Sequence, residues 1–373
     1  MKQLYDWLDQ NENKLRERGF YHDREGTFPT ETFDELREQG FTRLTVPEQY
    51  GGMGASLTEF LRMQQRLAAV DGASALSLGW HNGLVYHIAA YDLWEGELSG
   101  FLFKEAASGA LFNAASTERA SGSPTRGGMP ETKAVLRNGS WFVNGRKAFT
   151  TMLPVLDYAQ VSAVIEETGE HAYFFVPLNL PGVRMEETWN SAAMRSTGSH
   201  DLVLQNVELP GGNRIQMKPQ PAEPGTGWLL HIPACYLGIA EAAFHYAADF
   251  SLTYSPNSLE GTISTVPHVR QKVGEMSLLL KESEAVLYYT AEKWEKASKE
   301  ERVNFAGDLA AAKHTVINNG LQIVDLAMRT AGARSLEEDN PLQRYHRDMR
   351  AGLHNPPMDD AVIEKLASDV LGK

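Results

Sequence analysis

The feature of this sequence that most limits its possible folds is a set of long helical patterns in its C-terminal part. The segments 232–250, 268–296 and 303–331 keep apolar residues at helical spacing over many turns. Helices of that length gain most of their stability by packing their apolar sides together. The sequence therefore predicts a C-terminal bundle of long helices, which we place at residues 216–373.

The N-terminal part also shows helical patterns. Leu4 and Leu8 fall on one face of a first helix. Ser56 and Glu59 have the S-x-x-E spacing of a capping box, in which each residue pairs with the other's backbone N–H at a helix start. We therefore predict a helical N-terminal domain over residues 1–110.

The stretch 111–215 has a different composition, with short runs of aromatic and β-branched residues. The run 141–151 follows Asn138 and Gly139, a pair typical of hairpin turns. A similar run at 173–176 is ended by a proline. We predict a middle β domain of short strands, so the chain should be an α+β protein of three domains.

Composition narrows the classes of partner. Among the 373 residues, 35 lysines and arginines stand against 48 aspartates and glutamates, for a net charge of −13. A chain this acidic is a poor partner for nucleic acid or an anionic membrane surface. No signal peptide and no apolar run of about 18 residues occurs, so we expect a soluble cytoplasmic protein with no membrane insertion.

Common motifs for phosphate, metal and nucleophile chemistry are absent from the sequence. It contains no G-x-G-x-x-G, G-x-x-x-x-G-K-[ST], H-E-x-x-H or G-x-S-x-G. Its 11 histidines are scattered, and Cys235 is the single cysteine. We therefore predict no metal site and no intramolecular disulfide.

Five segments nevertheless match, in order, the motifs of one known family. They are P-E-x-Y-G-G-x-G at 47–54, T-E-x-x-x-G-S at 117–123, K-x-x-x-T at 147–151, M-R-x-T at 194–197 and R-x-x-R-D at 344–348. Each segment is weak evidence by itself, but the ordered set spans most of the chain. The sequence resembles the acyl-CoA dehydrogenase superfamily.

This resemblance implies a fold, a cofactor and an assembly. The fold would have a helical N-terminal domain, a β-barrel-like middle domain and a C-terminal four-helix bundle. The cofactor would be FAD, with FMN as the alternative, held without a glycine-rich Rossmann loop. The protein would be a homodimer or homotetramer in which the C-terminal bundles pack together.

The resemblance also implies flavin-binding residues. Thr117 would bond the edge of the flavin ring, and Ser123 would lie near the pyrophosphate or the substrate thioester. Phe149 takes the place of a tryptophan that flanks the isoalloxazine ring, and Thr151 would bond the flavin near N5. Without the resemblance, Phe149 reads equally well as a core residue of a strand and both threonines as ordinary strand residues.

The catalytic base of the dehydrogenases is missing from both places where the superfamily has it. Ungapped counting puts Pro356 at the usual glutamate and Trp228 at the alternative glutamate. The nearest carboxylates to the usual place are Asp359 and Asp360. Neither proline nor tryptophan accepts a proton, so a dehydrogenase would need Asp359, Asp360 or His354 as its base.

A branch of flavin monooxygenases with the same fold, such as dibenzothiophene monooxygenase, also lacks that glutamate and uses histidines instead. The segment 353–356 resembles its L-H-D-P, which makes His354 a candidate catalytic residue. His81, in Gly79-Trp80-His81, lies near the place of a second active-site histidine. Both histidines read equally well as structural or surface residues.

Three functions remain open from the sequence. The first is dehydrogenation of an acyl-CoA thioester, with an electron-transfer flavoprotein as electron partner. The second is a monooxygenase that takes reduced flavin from a flavin reductase. The third is a non-catalytic flavin-fold protein. The superfamily match favours the first two, and dehydrogenation ranks first.

Overall fold

The computed structural model describes residues 1–122, 128–220 and 225–372 of the chain. The N-terminal part is helical, as predicted. The capping box forms at Ser56, whose Oγ accepts the Glu59 N–H at 3.3 Å while the Glu59 carboxylate accepts the Ser56 N–H at 2.9 Å. The helices are α1 Lys2–Glu25, α2 Thr30–Gln39, α3 Leu57–Val70, α4 Gly72–Tyr91 and α5 Leu98–Ala107.

The middle part forms one sheet, in the order β6-β7-β3-β2-β4-β5-β8, with β1 beside β4. The predicted hairpin joins β2 to β3, and its two turn residues, Asn138 and Gly139, both have positive φ angles. The strands are β1 Phe112–Ala115, β2 Lys133–Arg137, β3 Ser140–Thr150, β4 Tyr158–Ile165, β5 His171–Pro177, β6 Val183–Glu186, β7 His200–Pro210 and β8 Arg214–Ile215.

The C-terminal part is again helical, so the predicted α+β class is confirmed. Helix α6 is the most buried of these helices, since it packs on α3 and α4 as well as on α7, α8 and α9. The segment Gly227–Thr253 is long and apolar enough to cross a membrane, but 78% of its most apolar window is buried inside the protein. The helices are α6 His231–Thr253, α7 Pro267–Lys296, α8 Ala306–Ala331, α9 Pro341–Ala351 and α10 Asp359–Leu371.

A buried ion cluster joins α9 to the N-terminal helices, and we call it the α9 ion cluster. Arg344 pairs with Asp71 at 2.5 Å and with Asp348 at 3.3 Å, and all three side chains are at least 97% buried. Asp23 of α1 pairs with Arg347 at 2.5 Å. Because Asp71 also accepts the Ser74 N–H at the start of α4, the cluster fixes α4 against α9.

Candidate functional site

The residues around Thr117 and those around Ala148, which belong to two motifs of the resemblance, lie side by side. The Ala148 N–H donates to the Thr117 carbonyl at 2.8 Å. Below this bond the Lys147 ammonium, which is fully buried, contacts the Glu118 carboxylate at 2.6 Å. An ion pair this deep needs further hydrogen bonds to be stable.

Glu118 receives those hydrogen bonds from Glu131 and Thr132. Its carboxylate accepts the Glu131 N–H at 2.5 Å and the Thr132 hydroxyl at 2.6 Å. Burial would raise the pKa of Glu118, but the bonds from Lys147, Thr132 and the Glu131 N–H outweigh it and hold the pKa at about 2. One carboxylate thus joins the segment at 117–118 to the segment at 131–132. Ser123 lies outside the described residues.

Phe149 turns its ring away from the sheet. Its φ of 57° is in the left-handed region, and its side chain is 53% exposed, although Ala148 and Thr150 on either side are buried. The nearest aromatic ring, Trp189, meets it edge-on at 6.2 Å. A large aromatic residue rarely adopts this backbone, which costs roughly 1–2 kcal/mol, so the ring is held outward by the surrounding structure. Phe149 is therefore not a core residue of the strand.

A row of hydroxyl groups starts at Thr151, and we call it the hydroxyl row. Thr151 Oγ1 lies 3.0 Å from Ser199 Oγ, which lies 2.9 Å from Thr197 Oγ1. Thr197 donates in turn to the Met194 carbonyl at 3.0 Å. The row crosses from the end of β3 to the segment before β7. It therefore joins the motif at 147–151 to the motif at 194–197.

The motif at 194–197 is hydrogen-bonded to α9. The Met194 N–H donates to Asp348 at 2.5 Å, which links the hydroxyl row to the α9 ion cluster. Burial raises the pKa of Asp348 to about 6. Four of the five motifs of the resemblance are therefore linked by hydrogen bonds, and the link between 147–151 and 194–197 passes through Ser199.

Two arginines share the carboxylate of Asp201, and one of them lies beside Phe149. The guanidinium of Arg119 lies 5.8 Å from the centre of the Phe149 ring and pairs with Asp201 at 3.1 Å. Arg146 pairs with the same carboxylate at 2.7 Å. Burial opposes ionisation of Asp201, but the bonds from Arg119, Thr188 and Arg146 lower its pKa.

His81 lies apart from this surface, in the core. Its Nε2 contacts the Thr42 carbonyl at 2.8 Å, and its Nδ1 accepts the Phe112 N–H at 3.0 Å. Burial lowers the pKa of His81 to about 4, so the ring is neutral. Nδ1 joins α4 to β1, and Nε2 joins α4 to the segment at Thr42 between α2 and α3, which leaves neither nitrogen for a substrate.

His354 and Asp359 lie near each other in sequence but face different surroundings. His354 is exposed at the end of α9, where its N–H donates to the Ala351 carbonyl. Asp359 starts α10 and accepts a bond from Asn318 of α8 at 3.1 Å, with Lys313 at 3.5 Å. Burial opposes ionisation of Asp359, but Asn318 and Lys313 lower its pKa.

The structure thus brings Thr117, Phe149 and Thr151 together and does not bring His81 to them. Sequence reasoning assigned no role to Ser199 and Thr197, although the run 196–199 is rich in hydroxyls. It also missed His231, which stacks on Trp228 with ring centroids 5.9 Å apart. His231 is fully buried, and neither ring nitrogen has a partner among the described residues.

Comparison with known families agrees with this arrangement. The family model for the acyl-CoA dehydrogenase N-terminal domain matches residues 10–91, that for the middle domain matches 113–207, and that for the C-terminal domain matches 230–355. The chain belongs to the acyl-CoA dehydrogenase superfamily. The resemblance read from the five motifs is therefore confirmed.

Relatives within the superfamily carry more than one activity. YdbM of Bacillus subtilis (strain 168), provisionally named an acyl-CoA dehydrogenase, is 49% identical over 93% of this chain and 91% of its own length. Dibenzothiophene monooxygenase of Mycolicibacterium goodii is 25% identical over 90% of this chain and 86% of its own. The superfamily assignment makes the chain an oxidoreductase-family flavoprotein, and it leaves the reaction open.

Solved structures confirm the fold. The FMN-bound TdsC from Paenibacillus sp. A11-2 superimposes with a TM-score of 0.88 at 22% identity, covering 100% of this chain and 97% of its own. Butyryl-CoA dehydrogenase from Megasphaera elsdenii gives 0.85 at 21% identity, covering 100% and 98%.

The residues at the site fit a flavin. The outward ring of Phe149 offers a flat apolar face, which suits a planar ring system. The hydroxyl row starts at Thr151, which with 9% exposure is the most exposed of its three residues. The Thr117 carbonyl holds β3 at Ala148. Phe149, Thr151 and Thr117 would hold the flavin ring.

Proposed function

We propose that this protein is a flavin-dependent monooxygenase that receives reduced flavin from a separate reductase. The proposal rests on one observation, that the carboxylates around the site are poor general bases. A dehydrogenase must remove an α-proton from its substrate with a group whose pKa lies near the working pH. Four carboxylates beside the motifs are engaged in ion pairs: Glu118, Asp201, Asp348 and Asp359.

Each of those carboxylates is a poor base for a specific reason. The pKa of Glu118 is held at about 2 by its bonds to Lys147, Thr132 and the Glu131 N–H. Arg119 and Arg146 bind Asp201, and Asn318 binds Asp359; the pKa of both aspartates is lowered, against the effect of burial. Asp348 has a raised pKa, but it is buried against Arg344 and the Met194 N–H.

The relatives support the same choice of reaction and of cofactor. Dibenzothiophene monooxygenase aligns over most of the chain, and TdsC is FMN-bound. We therefore propose FMN as the flavin, with FAD as the alternative. A bound reduced flavin supplies electrons that activate molecular oxygen, one atom of which enters the substrate while the other leaves as water.

The chain's own residues would position the flavin and exclude water. Phe149 would cover one face of the ring, and the Glu118–Lys147 pair would fix the end of β3 against the segment after β1, where Thr151 and Thr117 lie. His354 is the residue we propose for proton transfer. It is exposed in the single chain, and a neutral imidazole can both donate and accept a hydrogen bond.

A second function is favoured by a different observation. YdbM, the 49% identical relative, is provisionally named an acyl-CoA dehydrogenase. In that case the substrate is an acyl-CoA, the electron partner is an electron-transfer flavoprotein, and the base is His354, Asp359 or Asp360.

One experiment separates the two functions. The protein loaded with oxidised flavin is mixed anaerobically with a panel of acyl-CoAs, and the flavin absorbance is followed. In parallel, the protein with reduced FMN is mixed with oxygen. A monooxygenase leaves the oxidised flavin unbleached and changes the rate at which reduced FMN reacts with oxygen. Bleaching by any acyl-CoA would contradict the proposal in favour of dehydrogenation.

We also propose a homodimer or homotetramer assembled through the C-terminal helices. Leu252 of α6 and both Leu278 and Tyr289 of α7 are each more than half exposed on the bundle. Large apolar side chains at the surface of long helices favour a partner. Light scattering at micromolar concentration should give at least twice the mass of the single chain.

A further inference from the structure

Three side chains at the turn between α1 and α2 are joined by hydrogen bonds outside the flavin motifs, and we call them the Thr27 relay. Thr27 Oγ1 lies 2.7 Å from His22 Nδ1, and His22 Nε2 lies 2.8 Å from a carboxylate oxygen of Glu31. His22 is 7% exposed, whereas Thr27 is exposed to solvent. A hydroxyl, an imidazole and a carboxylate in this order form the pattern by which proteins activate a nucleophile.

The backbone places Thr27 beside His22. His22 lies in the last turn of α1, and its carbonyl accepts the N–H groups of both Gly26 and Thr27. Gly26 has a φ of 68°, which turns the chain back at the helix end and which glycine adopts without strain. Glu31 is in the first turn of α2, so two helices and one tight turn position the three side chains of the relay.

The direction of each hydrogen bond in the relay follows from the charge of Glu31. Burial would raise the pKa of Glu31, but the bonds from His22 and from the Glu31 backbone N–H lower this pKa, so Glu31 is ionised at neutral pH. An ionised carboxylate only accepts hydrogen bonds, so Nε2 of a neutral His22 must carry the ring hydrogen. Nδ1 then has the free lone pair, and Thr27 must donate its hydroxyl hydrogen to Nδ1. A general base that activates a hydroxyl needs this arrangement.

We infer that Thr27 is a nucleophilic hydroxyl that takes up an acyl group from an activated ester or a thioester. Thr27 Oγ1 attacks the acyl carbonyl carbon and forms a new C–O bond, while its proton passes to His22 Nδ1. The bond from that carbon to the leaving oxygen or sulfur then breaks. The leaving group departs with the bonding electron pair and takes the proton from His22. Glu31 holds the His22 ring in place and stabilises its charged form in between.

The inference goes beyond the proposed function, because acylation of Thr27 needs neither a flavin nor oxygen. A protein that oxygenates a substrate but never carries an acyl group on Thr27 would keep the proposed function and lose the relay. Conversely, bleaching of the flavin by an acyl-CoA would reject the monooxygenase and leave the acylation of Thr27 measurable.

The test treats the whole protein with p-nitrophenyl acetate or with acetyl-CoA and locates the acetyl group by mass spectrometry of its peptides. Hydroxylamine removes esters and spares the amides formed on lysines, so it separates a label on Thr27 from the lysine background. We expect an ester on Thr27 from at least one donor, and the donor that reacts faster identifies the source of the acyl group. His22→Gln should slow formation of this ester about 100-fold, the lower end of the contribution of a general base.

Thr30→Val is the matched control, because Thr30 is an exposed threonine at the start of α2 outside the relay, and it should keep the wild-type rate. Glu31→Gln should slow ester formation at least about 10-fold, and Glu31→Asp, which keeps the charge, should slow it less. Circular dichroism checks that each variant is folded. No ester on Thr27 from either donor, or equal rates in wild type and His22→Gln, would overturn the inference.

Discussion

Phe149 combines two features that rarely occur together in a strand, a left-handed backbone and an exposed aromatic ring. The sequence could indicate only that an aromatic residue stands in the motif. Its direction depends on φ at that one position, which no side-chain pattern encodes. A residue kept in a costly conformation with its ring outward is a candidate for contact with a ligand.

Replacing Phe149 should affect flavin retention more than stability. We expect Phe149→Ala to weaken FMN binding about 10-fold, because the ring that covers the flavin is lost. Flavin fluorescence quenching measures this. Phe142→Ala, on the same strand, is the control and should leave FMN affinity unchanged.

A glycine at the same position separates the ring from the backbone strain. Glycine adopts positive φ without cost. We therefore expect the free energy of unfolding of Phe149→Gly to exceed that of Phe149→Ala by about 1 kcal/mol, which is measured as a higher Tm. Equal FMN binding by wild type and both variants would mean that the Phe149 ring does not contact the flavin.

His354 is the residue proposed for proton transfer, and it lies exposed just after α9. We expect His354→Ala to lower turnover by about 10²–10⁴-fold, the usual contribution of a general acid or base. His245→Ala, a change at an exposed histidine of α6, is the matched control and should keep wild-type turnover. Full activity in His354→Ala together with loss in Asp359→Asn would move the assignment to the carboxylate.

At the scale of elements, the Glu118–Lys147 pair joins β3 to the segment that follows β1, and it makes a pH-dependent contribution to stability. The pKa of Glu118 is about 2 in the folded protein and near 4.5 in the unfolded chain. Its contribution is therefore complete above pH 4.5 and is lost as the pH falls from 4.5 through 2. Burial lowers the pKa of Lys147, and its contact with Glu118 opposes that effect.

The expected loss between about pH 5.5 and about pH 3.5 is roughly 1–2 kcal/mol. It is measured as the change in Tm over that range in wild type and in the double variant Glu118→Gln/Lys147→Met. The double variant has neither charge, so its Tm should fall less steeply with acid. Parallel slopes would show that Glu118 is not ionised in the folded protein as described.

Local elements were predictable from sequence where a local rule applies. The capping box at Ser56 and the turn at Asn138-Gly139 depend on neighbours within a few residues, and both form as expected. The hydroxyl row was not predictable, because Thr151 and Ser199 meet only through the pairing of β3 with β7. The two backbone partners of His81 likewise come from distant segments, so its structural role could not be distinguished from a catalytic one.

At the scale of the whole molecule, the α9 ion cluster holds the helical parts together through Arg344. Removing this guanidinium leaves the carboxylates of Asp71 and Asp348 buried without their cation. We expect Arg344→Leu to lower the free energy of unfolding by about 3–5 kcal/mol, as for other broken buried ion pairs. Thermal or urea unfolding measures the change.

The control for Arg344 is an arginine with a partner at the surface. Arg329→Leu removes an exposed pair with Asp325 and should change stability by less than about 1 kcal/mol. Similar losses in the two variants would mean that the α9 ion cluster is no more stabilising than a surface pair.

The residues of the α9 ion cluster lie far apart in the sequence, and this separation matters during protein synthesis. Asp71 and Arg344 are 273 residues apart. At roughly 5–20 residues per second, a ribosome adds Arg344 about 14–55 s after Asp71. Throughout that interval the nascent N-terminal helices carry acidic groups whose counterion has not been made. A nascent chain arrested before α9 should therefore be digested more readily within its N-terminal helices than the released protein.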